Sequence, residues 1–370
     1  MAKRIRRELT RVVGHFDLDY FFAQVEEVHD PSSRKLPVVV CVYSGRTEDS
    51  GVVSTANYKA REFGVKSGMP ISVAKRRLME TEARFLPMRR ELYEAPSERI
   101  MSLLRAETDA LEQTGIDEAF FDITAKTGGD FGAATVLASS IKRQVLQREK
   151  LTCSIGIGPN KIVAKLASDF AKPDGLTLVP PEEVNDFMNP LPVDKLYGIG
   201  SKSSTLLRER GITTIADLAG ADPQLLEGVF GHKLAAHFHN AARGVDEEPV
   251  TPRTEATQLS RIITLKKDTQ DVGEILAQLN PAIEDLHNRL MEKKLAFRSV
   301  SVIGILPNLS IRTRTKSLEI PTVQLSPLTD TAPALLSSLT SETGVLRRVG
   351  IRVSGLETAE EQSSLADFLR

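Results

Sequence analysis

The chain has 370 residues, 41% of them hydrophobic and 26% charged, with a formal net charge of −1 at pH 7. That length is too great for one ordinary core, so roughly two to four domains are expected in a globular chain. The near-neutral total excludes a uniformly basic nucleic-acid binder: if the chain holds nucleic acid, its positive charge is segregated.

No run approaches the ~20 apolar residues of a membrane span. The basic start, MAKRIRRELTR, lacks a following apolar stretch, so no secretory signal is expected and the protein is read as cytoplasmic. Cys41 and Cys153 lie in apolar, strand-like runs and read as reduced core thiols. His237 and His239 are two apart with no cysteine cluster, which argues against zinc.

In chain order, residues 11–28 (RVVGHFDLDYFFAQVEEV) open as a short strand running into a helix. Residues 36–55 hold two apolar runs around a Gly-containing turn, a hairpin pattern. From Asn57 to Leu78 the pattern is helical, broken by GVKSGMP, and residues 92–112 make an amphipathic helix. After the strand-like TGIDEAFFDIT come a long helix over 131–150, the strand LTCSIGIG and the helix NKIVAKLASDFAKP. Residues 181–243 read as nearly all helical, with Gly-bearing turns in YGIGSK and GVFGHK. Residues 244–256 are polar, proline-containing and non-periodic, the signature of a linker. Residues 257–356 alternate strand, helix, strand, strand, helix, strand, a ferredoxin-like order.

The stretch TGIDEAFFDIT poses a chemical question. Asp117 and Glu118 are adjacent in an apolar strand, where one should face the core, and an unpaired buried charge is costly. A chain reversal there lets both point toward one site. A second acidic pair, Asp17 and Asp19, lies on one side of the first strand by its period of two. Carboxylates converging from two strands call for a cation, and hard oxygen donors suit Mg²⁺. Two such ions ~3.5–4 Å apart form a clamp for phosphoryl and nucleotidyl transfer. The plainer alternative is that these acids only cap or make turns.

Four motifs carry a resemblance that runs from about residue 11 to residue 355. FDLDYFFAQVEEV, SGVVSTANYKAREFGVKSGMPI, GIDEAFFDIT and NKIVAKLASDFAKPDG, in that order, resemble the Y-family DNA polymerases of the DinB (DNA polymerase IV) branch, in their archaeal lesion-bypass form. The resemblance implies a multidomain α+β right hand. Its palm is residues 1–20 and 90–180, its fingers 21–89, its helical thumb 181–243. The 244–256 linker then leads to a ferredoxin-like little finger at 257–356 and a tail at 357–370. It implies low-fidelity, DNA-templated addition of deoxynucleotides to a primer 3′ end, as in translesion synthesis, with two Mg²⁺ per active site. Primer-template DNA and dNTP are the implied partners, the protein acting as a monomer with no membrane role.

Site residues follow from the same resemblance. Asp17, Asp117 and the carbonyl of Leu18 match metal ligands, and Glu118 the adjacent catalytic glutamate. Asp19 is not a ligand in the family pattern, so the spacing that groups it with Asp17 overreaches, and a capping acid is the better reading. Phe22 matches an aromatic beneath the incoming sugar, where a ring excludes a 2′-hydroxyl. Thr55, Tyr58, Arg61 and Lys172 match triphosphate contacts. Val52 and Ser54 lie over the nascent base pair, small enough to tolerate damaged templates. Lys161 and Lys165 either add positive potential or are solvated.

The remaining readings concern DNA and a clamp. Gly198 and Gly200 fit a helix–hairpin–helix turn whose N–H groups face a phosphate. Arg312, Arg314 and Lys316 share one strand face, and Arg348 and Arg352 share another strand's face, so one basic sheet face tracking the DNA backbone is expected. Gln362, Leu365 and Phe368 resemble the motif that enters a PCNA-type sliding clamp. Two other classes compete: a non-catalytic DNA-binding scaffold, and a palm-bearing nucleotide cyclase, which needs neither the thumb turns nor a basic sheet.

Overall fold

The structure is a computed structural model that describes residues 9–252 and 257–359. Its described residues fall into two compact units. One comprises the described parts of Met1–Cys41, Ser54–Ser67 and Arg77–Arg253, the other those of Val42–Val53, Gly68–Arg76 and Thr254–Arg370. Among the described residues no helix is long and apolar enough to cross a membrane.

The first unit is built on a five-stranded sheet. The first eight strands of the chain, not all of them wholly within this unit, are β1 (Val13–Leu18), β2 (Val38–Tyr43), β3 (Gly51–Ala56), β4 (Arg84–Pro87), β5 (Ala110–Gln113), β6 (Glu118–Asp122), β7 (Cys153–Gly158) and β8 (Leu176–Leu178). The sheet runs β5-β6-β1-β7-β8, so β1 is central and flanked by antiparallel partners on both sides. Phe16 and Leu18 of β1, Phe121 of β6 and Ile155 and Ile157 of β7 bury one face, in a core completed by residues of helices Arg90–Glu107 and Phe131–Glu149. The other face is covered by helix Lys161–Phe170. A Cβ at Gly156 of β7 would lie 2.1 Å from the backbone nitrogen of Ser168 and 2.2 Å from the carbonyl of Ala164. Only glycine permits that helix to approach so closely. β3, β2 and β4 form a separate three-stranded sheet, and residues 184–242 are helical with short turns.

The second unit holds β9 (Gln258–Thr269), β10 (Leu295–Ile305), β11 (Ile311–Thr322), β12 (Leu346–Ser354) and the short β13 (Glu357–Thr358). Helices Val272–Glu292 and Ser326–Thr343 complete the strand, helix, strand, strand, helix, strand order read from the sequence. The sheet order is β11-β10-β12-β9. Residues 42–53 belong to this unit: Arg46 donates to the carbonyls of Leu265 (2.5 Å) and Arg347 (3.0 Å) and pairs with Asp268.

The strand register corrects one expectation. Arg314 and Lys316 stand opposite Val302 and Val300, which are buried against the helices. Arg352 and Arg348 stand opposite Ser301 and Ile305. Directly paired residues of antiparallel strands share a face, so Arg312, Arg314 and Lys316 lie on the helix side and Arg348 and Arg352 on the other. Arg314 accordingly pairs with Glu342 of helix Ser326–Thr343. There is no single basic face. Alternation within each strand is as read, but the face each strand presents is set by the register between strands. β11 is an edge strand, so side chains on its helix side can still reach water, as Arg312 and Lys316 do.

Candidate active site

The sheet answers the question that Asp117 and Glu118 raised. Thr114 and Gly115 both donate their backbone N–H to the carbonyl of Glu118, closing a tight turn between β5 and β6. Asp117 sits at the end of that turn, its carbonyl accepting from the N–H of Leu18 at 2.9 Å, and Glu118 begins β6 opposite Asp17. The two side chains then part. Asp117 lines a cavity shared with Asp17, whereas Glu118 accepts from Lys165 at 2.7 Å and lies 3.4 Å from Nε2 of His15.

The helix that Gly156 admits supplies the positive charge. Asn160 caps it by accepting from the N–H of Val163. Lys165 projects to Glu118, and Ser168 meets Nδ1 of buried His15 at 2.8 Å. Just past the helix end, Lys172 contacts Asp17 and Asp169, each at 2.8 Å. Asp19 accepts from Thr152, from Ser154 and from the N–H of Asp174. It thus fastens the turn that carries Lys172, a structural acceptor in keeping with the capping reading.

Burial pushes the Asp17 carboxyl up to about 6 against the pull of Lys172, with Asp117 and Asp169 adding to the rise. Burial also raises Asp117, and Glu118 adds to that shift. Glu118 moves the other way: its hydrogen bond with His15, and then Lys165, outweigh its burial and hold it well below the usual carboxylate range. Burial lowers His15 to about 4, so the imidazole is neutral. Burial disfavours charge on Lys172, but Asp17 and Asp169 outweigh it and keep the ammonium protonated. Each acid therefore has a nearby cation or a raised proton affinity, the two ways a buried carboxylate is tolerated.

Among the described residues no three carboxylate, imidazole or thiol groups close around one point. Lys172 occupies the cationic place beside Asp17, and Glu118 is engaged by Lys165. The donor set nevertheless fits a divalent ion. Two desolvated aspartates line one cavity, Asp117 adds to the raised proton affinity of Asp17, and a side-chain ammonium already stands in for positive charge there. All the donors are hard oxygens.

That cavity is small, about 210 Å³. It brings together Asp17, Leu18, Phe22, Ser54, Thr55, Tyr58, Arg61, Asp117 and Lys172 from four separate stretches of chain. Arg61 donates to the carbonyl of Ala56 at 2.9 Å and lies over the Tyr58 ring. Tyr20, Phe21 and Ser67 also line it, and sequence reasoning missed them. Tyr20 has a left-handed backbone (φ 36°), and its ring meets Tyr58 edge-on. Nothing in its residue type announces that conformation. Val52 does not line the cavity and is 44% exposed.

The match to known proteins is nearly full-length. Family models match at 16–169 (impB/mucB/samB family), 194–246 (DNA polymerase-iota, thumb domain) and 256–365 (impB/mucB/samB family C-terminal domain). DNA polymerase IV of Nitrosopumilus maritimus is 41% identical over 97% of this chain and 99% of its own length. That of Methanosarcina acetivorans is 44% identical over 97% and 100%. This chain belongs to the DinB branch of the Y-family DNA polymerases. A solved chimera of the Y-family polymerases Dbh and Dpo4 superposes with a TM-score of 0.87 at 39% identity, covering 93% of this chain and 99% of that one. An insertion ternary complex of Dbh DNA polymerase gives 0.68 at 39% identity, covering 93% and 98%.

In this Y-family chain the helical thumb carries the two expected glycine turns. Gly198 has φ +94° and Gly200 is the residue from which helix Ser201–Arg208 starts; Gly231 (φ +75°) joins helices Pro223–Phe230 and His232–Ala242. The beginning of the expected linker, 244–251, is tied to the sheet of the same unit. Asn160 holds the carbonyl of Gly244, Arg11 reaches the carbonyls of Asp246 and Glu248, and Glu112 accepts from the N–H of Thr251. Lys161 bridges Glu112 (3.3 Å) and Glu248 (3.0 Å). Neither expectation for the two lysines was specific enough: Lys161 is a strap anchor, and Lys165 is the counter-ion of Glu118. Gln362, Leu365 and Phe368 lie outside the described residues.

Proposed function

We propose that this DNA-directed DNA polymerase uses the 210 Å³ cavity to seat the incoming dNTP. Asp17, the Leu18 carbonyl and Asp117 would hold two Mg²⁺, with Glu118 joining after it leaves Lys165. Bound there, such ions lower the pKa of the primer 3′-hydroxyl and offset the charge of the triphosphate. The chain's own part is to bind and orient. Tyr58, Arg61 and Lys172 donate to phosphate oxygens, for which an Arg fork and an ammonium are suited. Thr55 adds a hydroxyl, and Phe22 stands where a ring excludes a 2′-hydroxyl.

The observation that carries this reading is the contact between the Lys172 ammonium and Asp17, inside a cavity also lined by Asp117, Tyr58 and Arg61. A cation-demanding acidic pair beside phosphate-type donors suits a metal-bound nucleoside triphosphate. Low-fidelity synthesis across damaged templates is supported by the small Ser54 at the cavity and by a chain without tryptophan. A PCNA-type clamp engaging Gln362, Leu365 and Phe368, DNA-backbone contacts from Gly198, Gly200 and the arginines of β11 and β12, and action as a monomer complete the proposal.

Primer extension with Mg²⁺ is the test. Asp117→Ala should abolish extension while its affinity for primer-template DNA stays within about threefold of wild type. Extension by that variant at near wild-type rate would refute the metal assignment.

A further inference from the structure

Phe22 does not stand alone at the cavity wall. The Tyr93 ring stacks on it, centroids 4.6 Å apart and planes 28° from parallel. Tyr93 is 1% exposed and comes from helix Arg90–Glu107, on the core side of the Phe22 ring. Its hydroxyl donates to Oε1 of Glu26 at 2.6 Å. Glu26 is itself 1% exposed and is held by Arg89, whose Nε donates to Oε1 at 3.0 Å and whose Nη2 donates to Oε2. Glu26 lies four residues after Phe22 on helix Phe21–His29, one turn along the same helix face. Phe21 closes the cluster, with centroids 5.5 Å from Phe22 and 6.4 Å from Tyr93.

The geometry points to Tyr93 as a specificity-determining positioning residue, one whose anchored ring stops Phe22 from receding and so sets how strictly the site rejects a nucleotide bearing a 2′-hydroxyl. This rests on the reading of Phe22 as the residue beneath the sugar. Steric exclusion works only if the excluding group cannot yield. Packed interiors leave few voids, and a ring backed by a fixed ring has nowhere to go. A gap of a few tenths of an ångström to one ångström behind Phe22 would relieve the clash at the front. Tyr93 is fixed twice, by stacking and by a hydroxyl bonded to a buried carboxylate that Arg89 holds in place. Burial and the Glu26 bond both raise the Tyr93 phenol, so it remains a donor. An ordinary core tyrosine would need only to fill volume. This one ties the back of Phe22 to the next turn of the helix that carries Phe22.

The test is single-nucleotide incorporation by the full chain with Mg²⁺, measuring kcat/KM for a dNTP and for the matching rNTP. Phe22→Ala is the reference and should raise the rNTP/dNTP ratio most. Tyr93→Leu should raise that ratio by roughly tenfold or more while kcat/KM for the dNTP stays within about threefold of wild type. Tyr93→Phe keeps the ring and loses the anchor, so it should raise the ratio by roughly threefold. A role in folding alone would lower both efficiencies together and leave the ratio unchanged. That result, with Phe22→Ala still relaxing selectivity, overturns the inference and spares the Phe22 reading. An unchanged ratio in Phe22→Ala removes the Phe22 reading itself. If Tyr93→Leu does not fold, Tyr93→Phe decides: a wild-type ratio overturns the inference.

Discussion

Lys172→Met separates two roles of one ammonium, the counter-ion of Asp17 in the structure and the phosphate donor proposed above. Lys172 is the counter-ion of Asp17, with side-chain exposures of 24% and 17% and a contact of 2.8 Å. Two unit charges at that distance attract by about 6 kcal/mol at an effective dielectric of ~20, before desolvation is subtracted. Removing one partner of a buried pair costs about 3–5 kcal/mol, and partial exposure lowers that to about 2–4. The loss also has a ceiling, because Asp17 can take a proton instead. From the ordinary value of 3.8 to an assay near pH 7.5, that protonation costs about 5 kcal/mol, and near pH 5.5 only about 2. The metal-free variant should therefore be clearly less stable near pH 7.5, with a deficit that shrinks on acidification. Metal binding should move the other way, since Mg²⁺ no longer competes with an ammonium for Asp17, and its affinity without nucleotide should tighten by roughly tenfold. The dNTP dissociation constant from pre-steady-state incorporation should weaken by roughly tenfold or more as a phosphate contact is lost. Thermal unfolding with and without Mg²⁺ reads the first pair of effects. An unchanged dNTP constant would refute the phosphate role, and a weakened Mg²⁺ affinity would refute the counter-ion role.

Burial raises the Asp17 pKa from 3.8 to about 6 and raises that of Asp117, so protons compete with metal: at subsaturating Mg²⁺, extension should fall as pH drops through about 6, and saturating Mg²⁺ should restore it. The same shift means that Asp17's protonation favours the metal-free fold below about pH 4 and that this contribution is lost as pH rises through about 6, a trend that unfolding scans without metal should record. Gly156→Ala places a Cβ 2.1 Å from the Ser168 nitrogen, so it should cost about 3 kcal/mol or more and lower extension by displacing Lys165; a stable, fully active variant would refute the close-approach argument. Removing residues 360–370 should leave basal extension intact and abolish stimulation by a PCNA-type clamp, and equal stimulation of both forms would dismiss a clamp role for the tail.

Local periodicity and the four motifs made much of this legible in the sequence. The alternation in VVGHFDL puts Phe16 and Leu18 in the core and leaves Asp17 on the face that helix Lys161–Phe170 covers. The strand and helix order of residues 257–356 is what the pattern indicates. What stayed hidden depends on contacts between distant segments. The spacing in SIRTRTKSL shows that three basic residues share a side of β11, but not which side of the sheet, because pairing with Val300 and Val302 decides that. Residues 244–251 read as a linker because polar, proline-bearing chain has no periodicity. Their tethering comes from Arg11, Glu112, Asn160 and Lys161, all far away in sequence.

The active-site acids show the same division in a sharper form. Their residue types and strand positions were readable, yet sequence gives no sign that Glu118 would be paired with a lysine in the middle of one helix and Asp17 with a lysine just past the end of that helix. That pairing follows from Gly156, whose missing side chain lets the helix lie against the sheet. A carboxylate cluster built for cations needs positive charge to persist folded without them, and a side-chain ammonium can leave where a fixed apolar group could not. The lysines thus offset the charge of an acidic site, and any divalent ion held there as proposed would have to compete with them.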